Sequence, residues 1–377
     1  MAAFSHPEGT VWIPFDLLEQ FMIDVFRGVG VPDEEARICA QTLINADKRG
    51  VDSHGVGRLK TIYYDRIKQG IQFSKTKLEV IKEAPATVVL DAHHGMGMVA
   101  SYKAMQMAID KAKQYGIGMA VVRNSTHYGF CTQYLLQAID QGCVGITGTN
   151  ARPSIAPTFG AEGMTGTNPL TFGFPTDEDF PFTIDCALSV SQRGKVEMAA
   201  RAEVDIPEGW VIGKNGKYRT DTKQVLKDLV TGDACFVPLG GIGEETAGYK
   251  GYGYAMAVEF LSAALQGGSF LKDLNGLDED GKPCFYKLGH FFIAINVESF
   301  IPMEMFKRIT GTICRQVRAS DKAEGAQRIY TAGEKEWLVW QERKDKGAPV
   351  NPNLQKEMKI MRQELGLTQY RFPFDEA

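Results

Sequence analysis

The two ends of this chain share a helical pattern that its middle lacks, and this contrast most restricts the folds open to it. Residues 15–50 carry apolar side chains at helical spacing, interrupted once by a glycine-proline break with acidic residues after it. From about residue 334 onward the chain is again helical in pattern and highly charged. Short strand-like runs lie between these ends, at 86–91, 117–122, 142–150 and 288–297.

This arrangement predicts a central α/β domain with helices from both chain ends packed beside it. The expected boundaries assign residues 1–78 and 321–377 to the helical domain and residues 79–320 to the central domain. Within the central domain, 253–267 is apolar nearly all round and predicts a buried helix. With 377 residues, 44% of them hydrophobic, the chain is long enough for two domains.

Composition disfavours several classes of partner and site. The net charge is −4 and no basic tract is present, so nucleic acid and anionic membranes are not expected as partners. Seven scattered cysteines without a C-x-x-C pair indicate a reducing compartment rather than a disulfide framework or a zinc site. The start of the chain lacks a signal-peptide pattern, and no apolar run is long enough to cross a bilayer. We therefore expect a cytoplasmic protein without a bound metal.

The run GMGMVA, from Gly95 to Ala100, fits the G-x-G-x-x-A fingerprint of dinucleotide-binding folds. In those folds the first glycine directly follows a strand, so that pyrophosphate rests on the next helix. Here four residues, 91–94, separate the strand from Gly95. Arg123, at the end of the next strand, would suit a 2′-phosphate. The alternative is a glycine-bearing strand-to-helix turn with no ligand.

The segment DSHGVGR places a histidine and an arginine four residues apart, at His54 and Arg58. If the segment is helical, the two side chains share a face. A guanidinium grips a carboxylate through two parallel hydrogen bonds, and an imidazole can take or return a hydroxyl proton. The pair would therefore suit a 2-hydroxy or 2-oxo acid, with Asp52 orienting His54. Alternatively, Asp52 and Ser53 cap a helix and His54 is a surface residue.

A second histidine, His127, follows a predicted strand in the polar stretch VRNSTHYGF. The carboxyl ends of strands in α/β sheets are where ligands usually bind. His127 therefore competes with His54 for the role of acid and base, although it could simply bond to its own backbone turn. A serine hydrolase is disfavoured, because neither Ser53 nor Ser125 lies in a G-x-S-x-G elbow.

Several motifs, taken in order, resemble those of the type-2 malate/L-lactate dehydrogenase family. They are ADKRGVDSHGVGRL, NSTHYG, GTNPLTFGFP, TIDCALS and GYKGYGYAMAVEFLSAAL. The resemblance extends from about residue 15 to about residue 367. That family also contains ureidoglycolate and sulfolactate dehydrogenases and cyclic-imine reductases.

The resemblance implies a fold and a set of contacts. The fold would be α/β, with a non-Rossmann three-layer α/β/α domain around a mixed sheet and a helical domain built from both chain termini. Members are typically homodimers whose cleft is completed by the partner chain. Ser53, His54, Arg58 and His127 match the family's substrate pocket. The positions that match its cofactor contacts, rather than GMGMVA, are Asp185, Cys186, Ala187, Leu188, Ser189, Lys250, Gly251, Gly333 and Glu334.

The implied activity is hydride transfer between NAD or NADP, with NAD favoured, and a small 2-hydroxy acid such as malate or L-lactate. Two alternatives remain open: reduction of a cyclic imine 2-carboxylate or a ureidoglycolate-type substrate, and a non-catalytic protein that binds the cofactor. Relatives often carry an aromatic residue at the position of Ile62, where this chain instead has Tyr63 and Tyr64 beside it. A distal carboxylate, as in malate, would need a second cation, for which Lys48, Arg152 and Arg193 are candidates.

Overall fold

The computed structural model describes residues 6–201 and 203–375. In chain order the β-strands are β1 Val11–Ile13, β2 Glu79–Ala84, β3 Thr87–Asp91, β4 Ile117–Ser125, β5 Cys143–Thr149, β6 Leu170–Phe174, β7 Phe182–Cys186, β8 Val211–Gly213, β9 Ala234–Phe236, β10 Leu288–Asn296 and β11 Ala348–Val350. The α-helices are α1 Phe15–Gly28, α2 Asp33–Lys48, α3 Asp65–Lys68, α4 Gly97–Tyr115, α5 Thr132–Ile139, α6 Arg193–Arg201, α7 Thr222–Thr231, α8 Gly248–Ala263, α9 Met303–Arg318, α10 Glu334–Arg343 and α11 Pro352–Glu364.

Seven strands of the described chain form a mixed sheet in the order β2-β3-β4-β10-β5-β6-β7. β3 and β4 run parallel and are joined through α4, whereas the other neighbouring pairs are antiparallel. β10 returns from late in the chain and lies between β4 and β5, so that Phe292 pairs with Ala120 on one side and Thr147 on the other. This central position explains why the 288–297 run is apolar, since a strand covered on both faces has no polar side.

Helices cover both faces of the sheet, as expected for a three-layer fold. α4 and α5 pack on one face, where Ala108 and Ala112 of α4 meet Ala120 and Val122 of β4. On the other face α8 packs against the sheet, with Ala255 among the residues buried there. The mixed three-layer architecture predicted for the central domain is confirmed.

The chain ends share one hydrophobic core, which confirms that the helical unit is built from both termini. β1 pairs antiparallel with β11, and the buried Phe21 of α1 meets the rings of Tyr370 and Phe372 edge-on at 5.2 Å. Met96 and Met98 belong to the same core, which therefore extends to the start of α4. The expected residue boundaries between the domains stay a prediction.

Two features differ from the sequence expectations. α8 begins at Gly248, and its outward face leaves Tyr254 and Phe260 exposed in the single chain, so the prediction of a helix buried all round is wrong. The reason is that only one side of α8 faces the sheet. In addition, the short antiparallel pair β8–β9 packs with α6 and α7 around a separate small core, a lobe that the sequence pattern did not predict.

Candidate active site

The His54 turn, residues 51–58, follows the end of α2. Its backbone closes through bonds from His54 N to Val51 O at 2.8 Å and from Arg58 N to Gly55 O at 2.9 Å. Val56–Arg58 form a 3₁₀ turn that leads into a π-helix at Leu59–Tyr64. The expected helical pairing of His54 with Arg58 is therefore wrong, because the segment turns instead of continuing α2. Arg58 nevertheless stays close, since its Nε donates to the carbonyl of Ser53.

A buried carboxylate, that of Asp47, is hydrogen-bonded to the backbone of the His54 turn. Asp47 is 2% exposed, and its Oδ2 accepts a hydrogen bond from Val56 N at 2.8 Å. A Cβ atom at position 55 would lie 1.8 Å from Asp47 Oδ1, so only glycine fits there. Burial raises the pKa of Asp47 well above its usual range, and the nearby charge of Asp52 acts in the same direction.

Arg343, near the end of α10, ties the His54 turn to the C-terminal part of the chain. Its guanidinium donates to both carboxylate oxygens of Asp52, at 2.5 and 2.9 Å, and to the carbonyl of Asp47 at 2.7 Å. Asp52 therefore neither orients His54 nor caps a helix, contrary to both sequence hypotheses. No sequence signal identified Arg343, because 291 positions separate it from Asp52.

Tertiary packing brings the two candidate histidines together. The rings of His54 and His127 are half-buried and nearly parallel, with centroids 5.9 Å apart and planes at 21°. Burial lowers the pKa of His54 to about 4, and the charge of Arg58 adds to the effect. Burial also lowers the pKa of His127 well below its usual value, as do the neighbouring His54 and Arg58. Both imidazoles are therefore neutral near pH 7 in the ligand-free protein.

The hydrogen bonds of the two rings distinguish them. His127 Nδ1 accepts the backbone N–H of Gly129 at 3.2 Å, and the buried Tyr63 hydroxyl lies 2.7 Å from the same nitrogen. Because Nδ1 is the acceptor, the proton of the neutral ring resides on Nε2. His54 Nδ1 instead lies 2.9 Å from the hydroxyl of Ser53, which can donate or accept. No sequence motif indicated the contact between Tyr63 and His127, since Tyr63 was considered only as a neighbour of Ile62.

The GMGMVA run supports the loop that carries His127. Gly97 N donates to Thr126 Oγ1 at 2.9 Å, and that hydroxyl donates to Gly95 O at 2.8 Å. A Cβ atom on Gly97 would lie 2.2 Å from the carbonyl of Thr126, so glycine is needed for this close approach. Met96 N is bonded to Thr76 Oγ1 at 3.1 Å. Since these backbone donors already have partners, the alternative of a strand-to-helix turn accounts for the motif.

Leu239 contacts both the segment after β7 and the start of α8. Its backbone N donates to Leu188 O at 3.0 Å, while a Cβ atom on Gly251 would lie 2.1 Å from its carbonyl. Ser189 Oγ is buried and has no hydrogen-bond partner among the described residues. Two of the predicted cofactor segments, 185–189 and the region of Gly251, are thus neighbours in space.

The remaining predicted cofactor residues lie in different settings. Asp185 Oδ2 accepts from both the backbone N and the hydroxyl of Thr132 at 2.9 Å, at the start of α5. Gly333 lies against β7, since a Cβ atom there would be 2.8 Å from Thr183 Oγ1. Glu334 is 1% exposed, and its carboxylate is held within the chain by Arg328 and Arg318. Of the other three, Cys186 and Ala187 are half-buried and Lys250 is exposed.

Two cavities are lined in part by residues that the sequence singled out. One of about 380 Å³ is lined by Thr183 and Gly333 together with Lys48, Trp337 and Trp340. The other, of about 970 Å³, has a lining that includes Arg152, Thr167 and Arg193.

Two features are absent from residues 6–201 and 203–375. No group of three or more histidine, cysteine, aspartate or glutamate side chains there is arranged to hold a metal ion. Helices that are both long enough and apolar enough to span a bilayer are also absent from those ranges.

Comparison with known proteins identifies the family. The model of the malate/L-lactate dehydrogenase family matches residues 13–359. The chain belongs to this family. A malate dehydrogenase of Pyrococcus horikoshii is 39% identical over 96% of this chain and 97% of its own length. An L-sulfolactate dehydrogenase of Methanocaldococcus jannaschii is 37% identical over 93% of this chain and 96% of its own.

A solved structure supports the same assignment. The crystal structure of malate dehydrogenase from Entamoeba histolytica matches with a TM-score of 0.92 at 43% identity, covering 97% of this chain and 99% of that one. The resemblance inferred from the motifs is therefore confirmed, and the protein is a hydroxy-acid dehydrogenase. Membership of the malate/L-lactate dehydrogenase family implies a nicotinamide cofactor and a small-molecule substrate.

The residues at the end of β7 fit such a cofactor. The buried hydroxyl of Ser189 has no partner in the described chain, and a buried hydroxyl without a hydrogen bond is costly unless a ligand supplies one. Lys250 is exposed at the first turn of the neighbouring α8, where a cation is available to an anionic group. The site therefore offers a polar anchor and a positive charge beside backbone that packs closely.

Proposed function

We propose that this dehydrogenase transfers a hydride between NAD or NADP, with NAD favoured, and a small 2-hydroxy acid, malate or L-lactate, in the cytoplasm. The observation that carries the proposal is the half-buried cluster of His54, His127 and Arg58. Its two imidazoles are neutral, and a guanidinium lies next to them. Such a cluster can bind a carboxylate and exchange a proton with the adjacent hydroxyl group.

Arg58 would bind the substrate carboxylate, and the nicotinamide would supply or accept the hydride. During oxidation the C2–H bond breaks with loss of hydride, and the hydroxyl proton passes to an imidazole. A substrate carboxylate bound to Arg58 would offset the charge of Arg58, which adds to the effect of burial in lowering the pKa of His54, and would raise that pKa. The same proton would return to the oxygen when the 2-oxo acid is reduced.

We assign proton exchange to His54 and hydrogen-bond donation to His127. Gly129 N–H occupies Nδ1 of His127, so its Nε2 carries a proton and would donate to a substrate oxygen. If His54 Nδ1 donates to the Ser53 hydroxyl, its Nε2 is left free to accept a proton. Ser53 therefore acts by fixing the orientation of His54.

The cofactor would lie along the end of β7. Ser189 would supply a hydroxyl, and Lys250 would face an anionic group of the cofactor. Asp185, Cys186, Ala187, Leu188 and Gly251 shape the backbone there, and Gly333 borders the same strand. Glu334 differs from these, because its carboxylate is already neutralised by arginines and would act by holding the Gly333 turn in place.

We also propose a homodimer. Four apolar residues recur at every fourth position on α9 and are exposed in the single chain: Met305, Ile309, Ile313 and Val317. Exposed apolar stripes of this kind mark interaction surfaces. Light scattering should give twice the chain mass. Ile313→Glu should yield monomers, whereas Gln316→Glu, beside the stripe, should not; a wild-type monomer would exclude the dimer.

Steady-state assays test the activity. Wild-type protein would be assayed with NADH or NADPH and with oxaloacetate, pyruvate or piperideine-2-carboxylate. Turnover of piperideine-2-carboxylate alone would favour the imine reductase. No turnover of any of the three would favour the non-catalytic alternative. His54→Gln should lower kcat by about 10²–10⁴-fold, the range for general acid–base catalysis. His93→Gln, at an exposed histidine paired with Glu79, is the matched control. If neither His54→Gln nor His127→Gln loses tenfold, the acid–base assignment is wrong.

A further inference from the structure

We propose that Arg66 is a second anion-binding residue, which makes this enzyme selective for 2-hydroxy acids with two anionic groups. The inference rests on the proposed function and extends it. Arg58 would hold the carboxylate beside the reacting carbon, and Arg66 the distal carboxylate or sulfonate.

Arg66 has the features of a guanidinium reserved for a ligand. It is half-buried on α3, and the described chain gives its side chain neither a salt bridge nor a hydrogen bond. Its guanidinium carbon lies 4.0 Å from the centroid of the Tyr286 ring, which fixes it through one face. Stacking leaves the N–H edge available, and that edge is the part that binds carboxylates and phosphates.

Other arginines of comparable burial in the described chain already have side-chain partners, although Arg49 and Arg58 donate only to backbone carbonyls. Arg343 holds Asp52, and Arg318 holds Glu178 and Glu334. A half-buried guanidinium without any hydrogen-bond or salt-bridge partner loses hydration that no protein group replaces. The exception at Arg66 is therefore explained if a bound anion completes the site.

Arg66 lies beside the candidate active site, because the hydroxyl of Tyr63, three residues earlier in the chain, is 2.7 Å from His127 Nδ1. Burial is the main cause that lowers the pKa of Arg66, and the positive charges of Arg58 and Arg152 act in the same direction. Arg66 in turn contributes to the lowered pKa of His127. A second negative charge on the substrate would relieve this mutual repulsion, whereas a single carboxylate would leave one guanidinium unpaired.

The cations named from the sequence are weaker candidates for this role. Lys48 lies 3.9 Å from Glu19 and 5.7 Å from the Phe15 ring, and Arg193 is paired with Glu197. Arg152 is exposed on the rim of the larger cavity. It can add to the positive field, but its side chain is not fixed as that of Arg66 is by Tyr286.

The test compares two substrates that differ by one carboxylate. Arg66→Met should lower kcat/KM for oxaloacetate by roughly 10- to 100-fold, the range for a hydrogen bond to a charged group. The value for pyruvate should change by less than about threefold, since pyruvate has no second anion for Arg66 to bind. Arg37→Met, at an exposed arginine paired with Asp33, is the control and should change neither.

The outcomes separate this inference from the proposed function. Equal losses with both substrates, or no loss, would overturn the role of Arg66 while leaving the dehydrogenase intact. A wild-type enzyme that reduces neither 2-oxo acid would refute the proposed function and this inference with it. Should Arg66→Met fail to fold, the wild type decides alone: we expect kcat/KM at least tenfold higher for oxaloacetate than for pyruvate, and the reverse preference would refute the proposal.

Discussion

Replacing Gly55 by alanine tests whether close packing against Asp47 fixes the conformation of the His54 turn. The new methyl group would lie 1.8 Å from Asp47 Oδ1 and 2.2 Å from its Cγ, far inside contact distance. Either the turn or the buried carboxylate must move, and movement of the carboxylate breaks its 2.8 Å bond to Val56 N. Overpacking of about 1–3 kcal/mol and a lost hydrogen bond of about 1 kcal/mol together predict a destabilisation of about 2–4 kcal/mol.

The functional loss should be larger than the loss of stability suggests. Gly55 directly follows His54, so a shift of the turn displaces the imidazole, and a misplacement of about 1 Å can cost about 10²-fold in rate. Urea unfolding would measure the stability change, and steady-state turnover of oxaloacetate the change in kcat.

Gly57→Ala is the matched control for this prediction. Its Cβ atom would meet only Asp52 O at 3.5 Å, an ordinary contact, although the position lies in the same turn. A second comparison places Gly55→Ala in an Asp47→Ala background, where the methyl group has room and the added cost should shrink. If Gly55→Ala resembles Gly57→Ala, or costs as much without Asp47, the proposed clash does not control the turn.

Three further perturbations follow from the site. Ser189→Ala should raise KM for the cofactor several-fold and leave the melting temperature of the protein without cofactor unchanged, because the hydroxyl has no partner in the described chain. A marked drop in melting temperature would contradict this. Tyr63→Phe removes the hydroxyl beside His127 Nδ1 and should lower kcat/KM about tenfold, with unaltered turnover as the contrary result. Burial lowers the pKa values of His54 and His290 to about 4 and about 3, so the unfolded chain binds more protons than the folded chain below pH 6.5. The free energy of unfolding should therefore fall as the pH is lowered from 6.5 to 4, and it should fall less steeply in His54→Gln. An identical slope in the variant would refute this.

Much of the architecture follows from local pattern. Apolar spacing predicted α1 and α2, and the runs at 117–122 and 288–297 are part of β4 and β10. These assignments depend on a periodicity that neighbouring residues carry by themselves. The apolar sequence of α8, by contrast, could not reveal that one of its faces remains exposed, since exposure depends on what packs nearby.

Within the candidate site, the chemistry of individual residues was accessible from the sequence, but their environments were not. Imidazole and guanidinium groups in glycine-rich polar segments indicated a hydroxy-acid site at His54 and Arg58. The expected helix between them did not form. Glu334 also differs from a simple ligand contact, because Arg318 and Arg328 already pair with its carboxylate.

The sequence by itself determined where most of the longer helices and strands form and which side chains can exchange protons or bind anions, since both properties reside in neighbouring or single residues. Tertiary structure alone decided which groups meet. Three contacts join distant parts of the chain: the hydrogen bond between Tyr63 and His127, the salt bridge between Arg343 and Asp52, and the stacking of Arg66 on Tyr286. The physical reason is that burial, hydrogen-bond partners and local electric field arise from packing, and these set the charge state and orientation of each catalytic group.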